Sequence, residues 1–401
     1  MTLPKLDPTA VAARRQEDEL LRLLASVQAV RARERERIAE LAASVGAGTV
    51  WRAMLRHGLL PLLGTRLIEA TGGLLGAEFQ DRVRAGVNRT RARGFALEAM
   101  TRHVVERLSD DGIRTLVLKG AYLGERLHGD SGMRQTSDID LLVAPKDLNR
   151  ATHALRSVGY HRSDGGQGLP LVHTVSSAEE GWKPDIELHW RIHWAETRFS
   201  RRLLERSVPD EQLGRLPALD DDLAMLLCFY ARDSLRGLKP IADISAWWDR
   251  YGELAPGGLL DDVFDAHPKL RPGFVAATHF AHELGGVPID RLLSAPPRPS
   301  RAVRLAMDLA DWRAAATEAQ EPADRALIEL LLNPSHGHMD WLRRNVVQTE
   351  THHARRRGFG RAAALETSAK RGAQAAIAAA RFGPPFMGAL RRGIASSASA
   401  N

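Results

Sequence analysis

The chain has 401 residues, 44% hydrophobic and 26% charged, a balance that excludes fibrous, disulfide-stapled and wholly disordered classes. Its formal charge of +7 is concentrated at the end, because Thr351 to Asn401 holds nine Lys or Arg against one Glu. The rest keeps 47 basic and 48 acidic residues, so the basic total does not mark the body of the protein as a polyanion binder. The one cysteine, Cys228, lies in the apolar run Leu223 to Ala231, which excludes an intramolecular disulfide or cysteine metal cluster and predicts a buried thiol. Met1 to Pro8 lacks a basic patch with an apolar stretch behind it, and no uncharged apolar segment reaches the ~18–20 residues of a membrane span, so the cytoplasm is the expected address.

From Ala12 to Val45 the leucines, valines and Ile38 recur with a 3.6-residue period among Arg and Glu, which predicts amphipathic helices. Trp51 to Ala70 and Ala77 to Leu108 read likewise, punctuated by Gly58, Pro61 and Gly72-Gly73. Residues 1–112 are therefore expected to be a helical N-terminal region. At Ile113 the texture changes. Thr115 to Leu118 and Ile139 to Val143 are β-prone, a helical pattern runs from Pro145-Lys146-Asp147 to Val158, and Gly159 is its expected stop. Leu171 to Val175 and Asp185 to Trp194 are two more strand candidates, which make 113–216 a compact unit of strands and helices.

Past Pro217 helix signals return. Asp220-Asp221-Asp222 supplies an acidic first turn for Leu223 to Trp248, and Pro272 to Leu284, Ser300 to Ala319 and Pro322 to Leu332 follow. Residues 217–350 are expected to form a helical C-terminal region, and 351–401 a basic, partly disordered tail. The tail suits nucleic acid, an anionic membrane or an acidic partner, or is simply a solvated extension.

The stretch that carries chemistry is Arg134-Gln135-Thr136-Ser137-Asp138-Ile139-Asp140-Leu141-Leu142-Val143. On a strand, Asp138 and Asp140 project to one face while Ile139 and Leu141 enter the core. Two adjacent carboxylates repel unless a cation joins them, and hard anionic oxygens suit Mg²⁺. Upstream, Leu116-Val117-Leu118-Lys119-Gly120 ends an apolar strand with a cation and a residue that lets the backbone approach phosphate. Downstream, Asp185-Ile186-Glu187-Leu188-His189-Trp190 offers a third carboxylate. Asp185 and Glu187 share parity, and Glu187 is favoured for its apolar neighbours. If the segment stays extended to Trp194, His189, Arg191 and His193 line the same face.

Leu118-Lys119-Gly120, Arg134 to Val143, Gly159-Tyr160 and Glu187-Leu188-His189-Trp190, in this order and spacing, resemble the polymerase-β-like nucleotidyltransferase superfamily, and within it the bacterial uncharacterised nucleotidyltransferase family. The resemblance implies an α+β fold, with a small mixed β-sheet nucleotidyltransferase core flanked by the helical regions. It implies Mg²⁺, or Mn²⁺, held by Asp138, Asp140 and Glu187, and transfer of a nucleoside monophosphate from an NTP to a hydroxyl with release of pyrophosphate. Lys119 and Gly120 would occupy the phosphate end, with Arg134 and Ser137 as further phosphate ligands. The superfamily often follows that glycine with Gly or Ser, whereas this chain has Ala121. Arg134 has a competing reading as a surface ion pair with Asp130, and Lys239 and Asp243 either face the nucleotide cleft or, the simpler and favoured account, form a local helical pair. Trp182, Trp190 and Trp194 read as packing residues rather than base stackers. His336-Gly337-His338, His352-His353 and Gly358-x-Gly360 lack the context of a metal or dinucleotide site. Two other accounts remain at this point: a non-catalytic nucleotide-binding or protein-interaction module of the same fold, and an RNA-directed transferase that uses the tail.

Overall fold

A computed structural model describes residues 8–120, 122–162, 172–177, 183–314 and 322–333. Leu171, Trp182, the end of the 300–319 stretch, the His336 and His352 clusters, Gly358 to Gly360 and the basic tail lie outside these residues. The leader folds as α1 (Pro8–Ala25), α2 (Gln28–Arg33), α3 (Arg35–Val45), α4 (Ala47–Arg56), α5 (Leu60–Thr71) and the long α6 (Ala77–Asp110). Leu20, Leu21, Leu23 and Leu24 are all buried, a wider arc than a single stripe, because α1 is covered on several sides. The periodic stretch 12–45 is not one helix. Ser26 Oγ donates to the Leu23 carbonyl at 2.6 Å, and the Val27 amide leaves the helical ladder to donate to the Gly285 carbonyl at 2.8 Å. A long-range bond thus replaces an intrahelical one and ends α1.

The central unit is a small mixed sheet. Its strands are β1 (Thr115–Lys119), β2 (Asp138–Val143), β3 (Tyr160–Arg162), β4 (Val172–Ser177) and β5 (Asp185–His189), in the order β1-β2-β5-β4-β3. Only β2 and β5 run parallel, and every other pair is antiparallel. Between them lie α7 (Tyr122–His128) and α8 (Leu148–Ala154). The expected stop at Gly159 is present: its φ of 83° is the left-handed conformation in which a side chain is strained. The strand expected from Asp185 to Trp194 ends early, at His189. Its partners end there too, since His189 pairs with Leu142 on one side and with Val172, the first residue of β4, on the other. Without a ladder the chain turns, so strand parity no longer sets the faces of Arg191 and His193. Trp190 packs under Arg191 at 4.3 Å, and Trp194 lies 4.2 Å from the His193 ring.

After α9 (Arg198–Arg206) and the hairpin of β6 (Val208–Asp210) and β7 (Gly214–Leu216), the C-terminal region comprises α10 (Leu219–Arg232), α11 (Lys239–Tyr251), α12 (Asp261–Ala266), α13 (Arg271–Gly285), α14 (Ile289–Leu292), α15 (Arg301–Leu309) and α16 (Pro322–Leu332). The acidic first turn of α10 does more than favour the helix dipole. Asp221 accepts from Arg202 at 2.7 Å and Arg206 at 2.9 Å, and Asp222 pairs with Arg126 at 3.0 Å, so the turn fastens α10 to α9 and α7. Burial pushes the Asp222 carboxyl up to about 6, against the pull of Arg126. Cys228 is buried as expected, its thiol pushed up to about 12 by desolvation. The architecture is mixed α+β, helices flanking the sheet, with one contiguous core running from Leu20 to Leu332. The N-terminal helices meet the C-terminal region: α1 packs on α11 and α13, and the Gln28 amide donates to Asp249 Oδ1 at 2.7 Å. Among the described residues no helix is long and apolar enough to cross a membrane.

Candidate active site

Strand alternation and register assemble the acids. On β2, Ile139 and Leu141 are buried in the core, so Asp138 and Asp140 share the opposite face. The parallel pairing sets Asp138 against Asp185 and Asp140 against Glu187, and cross-strand partners stand on the same face. Asp185 is exposed and Glu187 is partly buried. Glu187 is therefore the acid of β5 that meets Asp140, which is itself fully buried.

Lys119 reaches the same point through an irregularity. Thr115, Leu116 and Val117 pair with Val143, Leu142 and Leu141, and then Lys119, not Leu118, pairs with Asp140. In a regular ladder Leu118 would hold that place and Lys119 would fall on the other face. The extra residue is a β-bulge, which re-aims a side chain. Leu118 stays in the core, and Lys119 Nζ comes within 3.3 Å of Asp140 Oδ1. Gly120 follows in a φ of 122°, a conformation suited to glycine.

His189 completes the cluster. Its Nε2 lies 2.9 Å from Asp140 Oδ1 and 3.4 Å from Glu187 Oε2. An ionised carboxylate only accepts, so Nε2 carries the proton and donates it. The ring is fully buried, edge-on to Phe229 with centroids 6.0 Å apart. Ligand atoms of Asp140, Glu187 and His189 all fall within 4.8 Å of one another, a grouping able to hold a metal ion. Asp140 is divided: Oδ1 takes Lys119 and His189, while Oδ2 is buried with no hydrogen-bond partner. Burial would raise this carboxyl, but the Lys119 ammonium and the His189 N–H outweigh it and hold it below the usual carboxylate range. For Lys119 burial opposes the charge, yet Asp140 keeps the ammonium above its ordinary value. Asp138 is raised, first by burial and then by Asp140, and Thr136 Oγ1 lies 3.4 Å from its Oδ1.

The loop before β2 is clamped to α11. Arg134 is nearly buried and grips Asp243 through Nε and Nη2 at 3.1 and 3.0 Å, while its Nη1 donates to the Gly120 carbonyl at 3.2 Å. Its planar fork thus holds protein groups, and Asp130 pairs instead with Arg91. The local Lys239–Asp243 pair is also replaced, since a buried guanidinium demands the carboxylate more strongly, and Lys239 Nζ donates to the Gln135 carbonyl. Ser137 is exposed between this clamp and Asp138.

Parity alone puts His189 on the acidic face, but the sequence gives no sign of its bond to Asp140. The i,i+4 spacing of Lys239 and Asp243 favours a local pair and gives no sign that the Gln135 carbonyl takes the Lys239 ammonium instead. The chemistry of the cluster is that of a cation seat: Asp140, Glu187 and the His189 imidazole converge, Asp140 keeps an orphaned anionic oxygen, the Lys119 ammonium lies beside it, and Asp138 stands on the same strand face outside that grouping. No curated protein and no solved structure matches the chain. A family model described as uncharacterised nucleotidyltransferase matches residues 43–286, well over half of the chain and all of the sheet. With its acids gathered on the two parallel strands of a small mixed sheet, the chain belongs to this nucleotidyltransferase family.

Proposed function

We propose that the protein is a divalent-metal-dependent enzyme that transfers a nucleoside monophosphate from an NTP to a hydroxyl acceptor and releases pyrophosphate. The observation that supports this most is Asp140 Oδ2, a buried anionic oxygen with no donor, beside Glu187 on the neighbouring strand. Such an oxygen is costly unless a cation joins it. The residues fit the metal that the family implies: Asp138, Asp140 and Glu187 would hold Mg²⁺ or Mn²⁺, and their hard oxygens suit either ion. When bound, divalent ions stabilise charge on the attacking and leaving oxygens of an in-line displacement.

The chain's own groups have separable tasks. His189 and Lys119 fix Asp140 through Oδ1 and leave Oδ2 for the cation. Lys119 and Gly120 mark the phosphate end, with the exposed Ser137 hydroxyl as a further donor to phosphate. Arg134 serves it indirectly, by tying Gly120 to α11. As the acceptor oxygen bonds to the α-phosphorus, the bond to the pyrophosphate oxygen breaks and the acceptor's proton leaves. Glu187, partly exposed, is the carboxylate able to receive that proton.

The test is release of pyrophosphate, and transfer of label from α-labelled NTPs, by the full chain with Mg²⁺ and pools of hydroxyl acceptors. Asp140→Asn and Glu187→Gln should each lower the rate by at least about 10²-fold with the circular dichroism spectrum unchanged, a loss of the size seen when one electrostatic stabiliser is removed. A protein that binds no Mg-NTP and releases no pyrophosphate with any pool contradicts the reading.

A further inference from the structure

At the end of β1 away from Lys119, two guanidiniums converge on one oxygen. Arg114 lies just before the strand, Arg215 lies on β7, and the oxygen is the hydroxyl of the buried Ser207, between α9 and β6. Arg114 Nη2 donates to it at 3.3 Å and to the Glu205 carbonyl at 3.4 Å. Arg215 Nε donates to it at 2.7 Å, and Arg215 Nη2 donates to the Ser207 carbonyl. The hydroxyl in turn donates to the Leu204 carbonyl at 2.7 Å. All of these acceptors are neutral, and among the described residues no carboxylate lies within ion-pair distance of either guanidinium. The neighbouring arginines of α9 are placed otherwise: Arg202 and Arg206 both pair with Asp220 and Asp221.

Two like charges on one hydroxyl repel. Burial and then Arg114 hold the Arg215 guanidinium below its ordinary value, and the acids of the surrounding elements do not offset this. Asp210 takes the Gln212 and Leu213 amides of its own hairpin at 3.0 and 2.8 Å, and Glu205 and Glu211 are exposed. Capping of α9 accounts for one guanidinium, since the last carbonyls of a helix lack partners and suit a cation. It does not account for a second one on longer bonds, whose Nε and Nη1 meet no acceptor among the described residues. Arg114 is exposed and Arg215 partly buried, so an ion from solvent can reach both. Planar forks with donors to spare suit a tetrahedral oxyanion, which accepts paired N–H bonds and neutralises both charges at once.

We propose that Arg114 and Arg215, with Ser207 between them, form a binding site for a phosphate dianion, apart from the acidic cluster. The length of β1 separates the two, because the five residues from Arg114 to Lys119 span about 16 Å of strand. Bound there, the anion ties the start of β1, the end of α9 and the hairpin of β6 and β7 to one another. The site stands independently of the nucleotidyltransferase reading.

The experiment is calorimetric titration of the full chain with inorganic phosphate, and in parallel with methyl phosphate, at about pH 8, where both probes are dianions. Ionic strength is held constant and a chelator is present, so that no metal ion at the acids holds the anion. Wild type is expected to bind inorganic phosphate with a Kd of about 1 mM or tighter, in line with two charge-assisted contacts. Arg114→Gln and Arg215→Gln should each weaken this by about tenfold or more. Arg201→Gln, which removes an exposed charge of α9 outside the site, should change it by less than about twofold. Binding of methyl phosphate as well supports the site and admits the terminal group of a phosphate ester, whereas binding of inorganic phosphate alone supports it for the free ion. No binding by wild type, or equal affinity in wild type and Arg114→Gln, overturns the proposal and leaves the two guanidiniums as caps of α9. An equal loss in Arg201→Gln overturns it too, because it would reveal only an effect of general charge. Should Arg215→Gln fail to fold, Arg114→Gln, which gives up only the two longer bonds, decides the matter by itself.

Discussion

Asp140 is the residue on which the candidate site turns, because its two oxygens are treated differently by the fold. His189 and Lys119 share Oδ1, and Oδ2 faces no donor. A buried imidazole that donates to a metal-holding carboxylate fixes its rotamer, and loss of such a partner typically weakens metal binding 10–100-fold. Hence His189→Ala should weaken Mn²⁺ binding, followed by electron paramagnetic resonance titration, by about that factor. Nucleotide affinity without metal should be unaffected, and unchanged Mn²⁺ affinity would show that His189 merely packs against Phe229. The acids themselves were legible in the sequence because alternation on a strand is a local rule. The division of Asp140 was not, since it depends on the bulge at Leu118, and a one-residue bulge leaves no mark in an apolar run.

At the scale of elements, α11 and the loop before β2 act as one piece. Arg134 and Asp243 are 9% and 7% exposed, so neither charge has water to fall back on, and the pair joins residues that are 109 positions apart. Removing one partner of a buried pair costs about 3–5 kcal/mol, whereas replacing both with apolar groups is often neutral. Asp243→Asn is therefore expected to lower the unfolding free energy in urea by about 3 kcal/mol or more. A double change, Arg134→Leu with Asp243→Leu, should recover most of that stability but not the alignment of Gly120 and Gln135, so pyrophosphate release should stay depressed. If the double variant recovered both, the clamp would be structural alone. Sequence spacing suggested a Lys239–Asp243 pair because the i,i+4 rule sees only one helix. The competing partner, Arg134, comes from a distant loop that no local rule brings near. The premature end of β5 has the same origin: Arg191 and His193 keep the strand's parity, but the strands that would pair with them have already stopped.

Across the whole molecule, the leader and the C-terminal helices close on each other around the sheet. Fold class was open to reading because the change from a period of 3.6 to a period of 2 near Ile113, and back after Pro217, is written in the apolar pattern. How the helical regions meet was not, since the Val27 to Gly285 and Gln28 to Asp249 bonds join residues with no pairing signal. Within this closure β1, β2 and β5 bring Lys119, Asp140, Glu187 and His189 to one place, and α11 is tied to the loop before β2. The most direct measurement of that arrangement is a crystal of the full chain soaked with Mn²⁺ and an α,β-methylene NTP, read by anomalous scattering. The account predicts a manganese peak bonded to Asp140 Oδ2 and Glu187, with the triphosphate against it. A peak only elsewhere, with Asp140 still held by Lys119 and His189 alone, would contradict it.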